Sequence, residues 1–137
     1  MNKRFILDCS IAIAWCFEDE TTAYTELVLS SLEKATAIVP KLWYIEISNV
    51  LLTAQKRGRI NDNGIFNFLS LLEKLPIMSD NNDIDMLDLI MLSSKYRLTS
   101  YDGCYLNLSL KYNLPLATLD KKLIAATKSA GSEIYRL

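Results

Sequence analysis

Apolar positions along this chain fall into short continuous runs, separated by longer stretches in which they recur every three or four residues. Phe5-Ile6-Leu7, ending at Asp8, reads as a buried strand; Cys9-Ser10 follows as a polar turn, and Ile11 to Trp15 as a short helix or helical turn. Thr21 to Lys34 has helical spacing in Leu27, Val28, Leu29 and Leu32, with Thr21 or Thr22 as cap. Thr36 to Val39 is a strand stopped by Pro40. Lys41 to Arg57 then presents Trp43, Ile47, Val50, Leu51 and Ala54 on one helix face, ended by Gly58.

The second half continues the alternation. Asn61 or Asp62 caps a helix through Phe66, Phe68, Leu69 and Leu72 to Lys74, and Pro76-Ile77-Met78 is a short extended piece. Asp83 is expected to open a further helix with Leu87, Ile90 and Met91 buried. Tyr96 to Tyr101 fits a strand and an irregular connector equally well. A helix from Asp102 through Lys111, a strand at Leu116-Ala117-Thr118, a helix from Lys121 to Ser129 stopped by Gly131, and an edge strand at Ile134-Tyr135 complete the pattern. Short apolar strands between helices predict an α/β fold whose parallel sheet is covered on both faces.

Composition narrows this further. A chain of 137 residues is the size of one domain, expected over 1–137, with a core large enough to need no staple. Hydrophobic residues at 50% and charged ones at 23% argue against disorder, and no apolar run approaches a membrane span. Met1-Asn2-Lys3-Arg4 leads to Asp8 too soon for a signal peptide, so a cytoplasmic protein is expected. The three cysteines, Cys9, Cys16 and Cys104, have no paired spacing and read as small semi-buried side chains. A net charge of -1 gives no global attraction to nucleic acid, leaving only a local basic patch for that purpose.

Four carboxylates change the picture: Asp8, Glu46, Asp102 and Asp120. The chain has no histidine, so chemistry requiring an imidazole base is excluded. Asp8 and Asp120 each follow a strand, and ligands of parallel sheets bind beyond the carboxyl ends of the strands. Asp102 and Asp120 also stand at helix starts, where a plain capping role fits equally well. Glu46 lies mid-helix between Ile45 and Ile47, in a polar stripe with Asn49 and Thr53. Gathering four carboxylates raises their pKa values unless a hard divalent ion, Mg²⁺ or Mn²⁺, is bound. Ser10, Asn49 and Thr118 are polar groups able to support such ligands, or to serve as ordinary caps. Lys56-Arg57-Gly58-Arg59 and Lys121-Lys122 are the basic clusters, with Lys121 a candidate phosphate contact. The run from Asp80 resembles a calcium loop only superficially, since Asp85 stands where glycine is needed and Met91 where a glutamate is needed.

Phe5-Ile6-Leu7-Asp8-Cys9-Ser10 with Ala14-Trp15, Pro40 to Leu51, Leu98 to Leu106, and Leu116 to Leu123 occur in the order and at the intervals of a known family. The chain resembles the PIN-domain nucleases, especially the VapC-type toxins of toxin–antitoxin pairs. The resemblance implies a three-layer α/β/α fold with a short central, mostly parallel sheet. It also implies a Mg²⁺- or Mn²⁺-dependent endoribonuclease with RNA as substrate, a cognate antitoxin and homodimerisation. Its metal-holding acids correspond to Asp8, Glu46, Asp102 and Asp120, and its polar helpers to Ser10, Asn49 and Thr118. Gly103 stands where alanine is commoner, and Ile124 where some relatives carry an acidic or polar group. Two other readings remain: an inactive PIN-like protein-binding module, and a haloacid-dehalogenase-like phosphatase, whose second aspartate is replaced here by Ser10.

Overall fold

Three consecutive fully buried residues, Phe5, Ile6 and Leu7, explain the architecture. Successive strand side chains point to opposite faces, so a strand buried at every position must be covered above and below. In the computed structural model, which describes residues 3–137, these residues belong to β1 (Lys3–Leu7). The first two residues of the expected domain lie outside the described residues.

The sheet has four parallel strands in the order β3-β2-β1-β4, with β2 at Ala35–Val39, β3 at Ile77–Ser79 and β4 at Leu116–Ala117. Phe5 is paired with Ala37, and Ile6 with Ile38 on one side and Leu116 on the other. Ile134 adds only a single parallel bridge to Leu116, short of the expected edge strand. From β1 the chain steps to β2 and β3 in one direction, then returns to β4. Right-handed crossovers therefore place the helices of the first steps on one face and those of the return on the other. The first group comprises α1 (Cys9–Cys16), α2 (Ala23–Ser31), α3 (Leu42–Lys56) and α4 (Asp62–Glu73). The second comprises α5 (Met86–Tyr96), α6 (Ser100–Tyr112) and α7 (Lys121–Ser129), with α6 lying on β1 and β4. The result is the expected three-layer α/β/α sandwich.

Several local expectations need correction. Cys9-Ser10 is no turn: α1 begins at Cys9, directly after Asp8. Helix α2 stops at Ser31 and passes through a turn before Lys34. Helix α5 opens at Met86, capped by the Asp85 side chain instead of Asp83. Its inward residues are Leu89, Leu92, Ser93 and Tyr96, whereas Leu87, Ile90 and Met91 are 66%, 58% and 63% exposed. The connector after Tyr96 is irregular, turning through Arg97 at φ 55°, and Thr99 caps α6 before Asp102 is reached. Among the described residues no helix is long and apolar enough to cross a membrane.

Candidate metal centre

The strand order reverses between β1 and β4, and their carboxyl ends flank the crevice where a parallel sheet exposes backbone to ligands. Asp8 leaves β1 at this point and is only 4% exposed. One oxygen of its carboxylate, Oδ2, accepts hydrogen bonds from Ser10 Oγ at 2.8 Å and Thr118 Oγ1 at 2.7 Å. The same hydroxyls accept from the loop after β4: Leu119 N–H donates to Ser10 at 3.1 Å, and Asp120 N–H donates to Thr118 at 3.1 Å. Two small polar side chains thus lock two neighbouring strand ends and orient one buried carboxylate. Its other oxygen, Oδ1, accepts no side-chain hydrogen bond from the described residues.

Glu46 comes to Asp8 from α3. The first turn of that helix follows Pro40, and burial of Trp43, Ile47, Leu51 and Ala54 fixes its rotation, leaving Glu46 half-buried on the adjacent face. The buried Tyr105 of α6 donates its hydroxyl to Glu46 Oε1, joining the helices of opposite layers across the site. Carboxylate oxygens of Asp8 and Glu46 and the Cys9 sulfur all lie within 4.8 Å of one another. Cys9 is the neighbour that composition alone hid. Burial and the adjoining carboxylates push its thiol well up, so it stays protonated at neutral pH.

Asp102 sits in the first turn of α6, where its own N–H is held by Thr99 Oγ1. Its carboxyl is pushed up to about 6, by burial first and then by the charges of Asp120, Asp8 and Glu46, with Lys122 opposing. Asp120 is a cap as well as a site neighbour: its Oδ1 accepts from Leu123 N–H at 2.9 Å, and the residue is exposed. Burial likewise raises Asp8, against the hydroxyls of Thr118 and Ser10, and raises Glu46 against the Tyr105 hydroxyl.

Asn49 is exposed one turn along α3 from Glu46, with no hydrogen bond to the carboxylates among the described residues. Lys121 is exposed on α7, and Lys122 is the lysine felt by Asp102. The basic cluster after α3 is partly committed, because Arg59 pairs with Asp19 at 2.9 Å and Glu20 at 3.3 Å and lies over the Phe17 ring.

The donor set fits a hard divalent cation. It consists of carboxylate oxygens, the neighbouring thiol is held neutral, and burial first, then the charge of acidic neighbours, holds three of the acids above their ordinary range, a cost that a bound cation would offset. A pH dependence follows. A carboxyl raised in the fold adds stability that is complete below the unfolded value near 3.8 and lost as pH rises through about 6 for Asp102. Chelator-treated protein should therefore melt a few degrees lower at pH 7.5 than at pH 5. The loss for Asp102 is about 1 kcal/mol once solvent screening is allowed for, equivalent to roughly 3 °C. Added Mn²⁺ should reverse the trend, as a scanned melting curve at each pH would record.

The fold is a three-layer parallel-sheet domain with an acidic crevice at its strand switch point, the place where such sheets bind ligands. The PIN domain model matches residues 5–129, and the chain belongs to the PIN domain family, typically metal-dependent nucleases. Solved structures agree on the fold. PAE2754 from Pyrobaculum aerophilum superposes with a TM-score of 0.72 at 22% identity, over 93% of this chain and 87% of that one. A toxin–antitoxin complex from Klebsiella pneumoniae gives 0.60 at 17% identity, over 88% of this chain and 90% of that one. A domain of a functionally unknown protein from Methanocaldococcus jannaschii DSM 2661 gives 0.57 at 22% identity, over 98% and 91%. No curated protein sequence matches the chain.

Proposed function

We propose that this single domain is a Mg²⁺- or Mn²⁺-dependent endoribonuclease of the VapC type, the toxin of a toxin–antitoxin pair. The observation that carries the reading is the buried Asp8 carboxylate, oriented by Ser10 and Thr118 and within 4.8 Å of Glu46 and Cys9. Asp8, Glu46, Asp102 and Asp120 would hold the cation, and a bound ion would supply positive charge near the phosphodiester and lower the pKa of a water molecule. Ser10 and Thr118 fix the Asp8 carboxylate through Oδ2, so that the group needs no reorganisation when substrate arrives. Tyr105 does the same for Glu46, leaving one glutamate oxygen to accept a proton or hold the ion. Asn49 and Lys121 border the substrate, Asn49 as a polar contact and Lys121 as a phosphate contact. Because water attacks, the missing histidine is no handicap.

The reading includes two protein partners. The exposed Met86, Leu87, Ile90 and Met91 on α5 give a second copy of the chain an apolar face, and Tyr44, Ile45 and Leu52 on α3 give one to an antitoxin. The same faces would serve a catalytically inactive binding module, the alternative to be separated. The phosphatase alternative loses ground because Ser10, standing where a second acid is required, is spent in orienting Asp8.

Purified protein incubated with a mixed RNA pool decides between activity and mere binding. Discrete cuts should appear with Mn²⁺ or Mg²⁺ and vanish with chelator. Chelator-indifferent cutting, or none with either ion, overturns the nuclease.

A further inference from the structure

A cleft of about 610 Å³ runs beside α7, from Thr118 and Leu119 at the acidic site to Lys128 and Arg136. Lys121, Ile124 and Lys128 line it, and steps of three and four residues put them on one face of that helix. At its far end the cleft runs into another of about 640 Å³, which also contains Lys128 and Arg136 and adds Lys3 and Arg4. Lys3, Arg4, Lys121, Lys128 and Arg136 are all exposed. Among the described residues the only ion pairs are those of Arg59, so none of these five cations is neutralised by a carboxylate. Glu133 is the one acidic side chain in the lining. The net charge of -1 therefore conceals a segregation: carboxylates gather at the crevice, and unpaired cations stand along a groove leading away from it whose walls are otherwise largely apolar, with Leu27, Leu119, Ile124 and Ile134 among them.

We propose that this groove binds the backbone of single-stranded RNA extending from the acidic site, with Lys121, Lys128 and Arg136 on successive phosphates and Lys3 and Arg4 beyond them. The inference rests on the nuclease reading and adds a path for the substrate. Cations along a groove bind phosphates by releasing counterions, without regard to sequence. Of the two tyrosines in the lining, Tyr135 is buried against Phe5 with ring centroids 3.9 Å apart, and Tyr24 is half-buried with its hydroxyl donated to the Tyr135 carbonyl oxygen, so the exposed cations are the groove's main offering to a strand. Lys121 and Lys128, seven residues apart on α7, stand about 10 Å apart along its axis, far enough to hold separate phosphates of one strand. Such an anchor also answers a physical difficulty. A cluster of carboxylates repels phosphate, and a chain without net positive charge needs local cations to hold RNA over it.

The test measures binding apart from cutting. Fluorescence anisotropy with a labelled single-stranded RNA of about 16 nucleotides, in chelator and an Asp8→Asn background, is followed over a salt series. Lys128→Glu/Arg136→Glu should weaken binding about tenfold at low salt and flatten the salt slope by about 1.4, two phosphate contacts at ~0.7 each. Lys128→Gln/Arg136→Gln should flatten the slope equally with a smaller loss of affinity, and the melting temperatures of both variants check their folding. Binding absent from the Asp8→Asn protein, or affinity and slope unchanged by charge reversal, overturns the groove. Cutting by the metal-loaded wild type with unchanged slopes would leave the nuclease standing and the groove refuted. Flattened slopes without any cutting would do the opposite.

Discussion

Asp8→Asn should lower metal-dependent RNA cleavage by about a thousandfold or more, while raising the melting temperature of the chelator-treated protein. The two effects have one cause. Asparagine keeps an oxygen that can accept from both Ser10 and Thr118, whose bonds to Asp8 are 2.8 and 2.7 Å long, so the link between the strand ends survives. What disappears is a negative charge that is 4% exposed and surrounded by the charges of Glu46, Asp102 and Asp120. Without metal that charge is a burden, because burial and its acidic neighbour Asp120 disfavour it. In the proposed metal site it would be a ligand, and losing several kcal/mol of electrostatic stabilisation corresponds to that loss of rate. Single-turnover cleavage and melting curves in chelator read the two effects separately. Full activity in the variant would remove Asp8 from the chemistry; a sharply lower melting temperature would make its charge structural.

The second large effect is on stability. Gly103→Ala places a methyl group where the Ser93 hydroxyl stands, with an ideal Cβ well inside contact distance of Ser93 Oγ and 3.2 Å from Leu89 Cδ1. Alanine gains about 1 kcal/mol of helix propensity but overpacks the contact between α5 and α6, and a net loss of about 2 kcal/mol is expected. Ser93 is itself a weak point, its buried hydroxyl having no hydrogen-bond partner among the described residues. Ser93→Ala should therefore stabilise by about 1 kcal/mol and, combined with Gly103→Ala, restore or exceed wild-type stability. Urea unfolding of the four proteins of this cycle measures the coupling; strictly additive effects would refute the clash. Asp102 precedes Gly103, so the single variant should also weaken Mn²⁺ binding, and the double variant should recover it.

This pair shows how the chain could be read and where the reading stopped. The glycine was visible in sequence, but its reason was a serine ten positions earlier on another helix, and packing between helices leaves no periodic trace. Helix α5 misled for a related reason. Met86, Leu87, Leu89, Ile90, Met91 and Leu92 are apolar nearly all round the helix, so spacing cannot choose a face, and docking on α6 selected Leu89, Leu92 and Ser93. Helix α3 was legible because Trp43, Ile47, Val50, Leu51 and Ala54 recur at helical spacing, although Tyr44, Ile45 and Leu52 are apolar and exposed; burial of the recurring stripe fixes where Glu46 points. The strands were legible from their continuous apolar runs. Cys9 went unassigned because a lone thiol carries no spacing signal; its adjacency to Asp8 was the available clue. Asp120 was readable as both cap and site neighbour, and the structure gives it both positions.

The bond from Thr118 to Asp8 links positions separated by 110 residues and closes β4 onto β1. Its sequence separation has a meaning in time. At about 5–20 residues per second, a ribosome makes Thr118 roughly 6–22 s after Asp8. During that interval β1 has no fourth strand beside it, and its terminal carboxylate lacks the threonine that orients it. The crevice therefore cannot exist on a growing chain, however early the first helices form. A nuclease of the proposed kind, assembled in this order, would emerge beside the RNA of its own translation machinery without a finished site, and would become competent only when nearly all of the domain had been made.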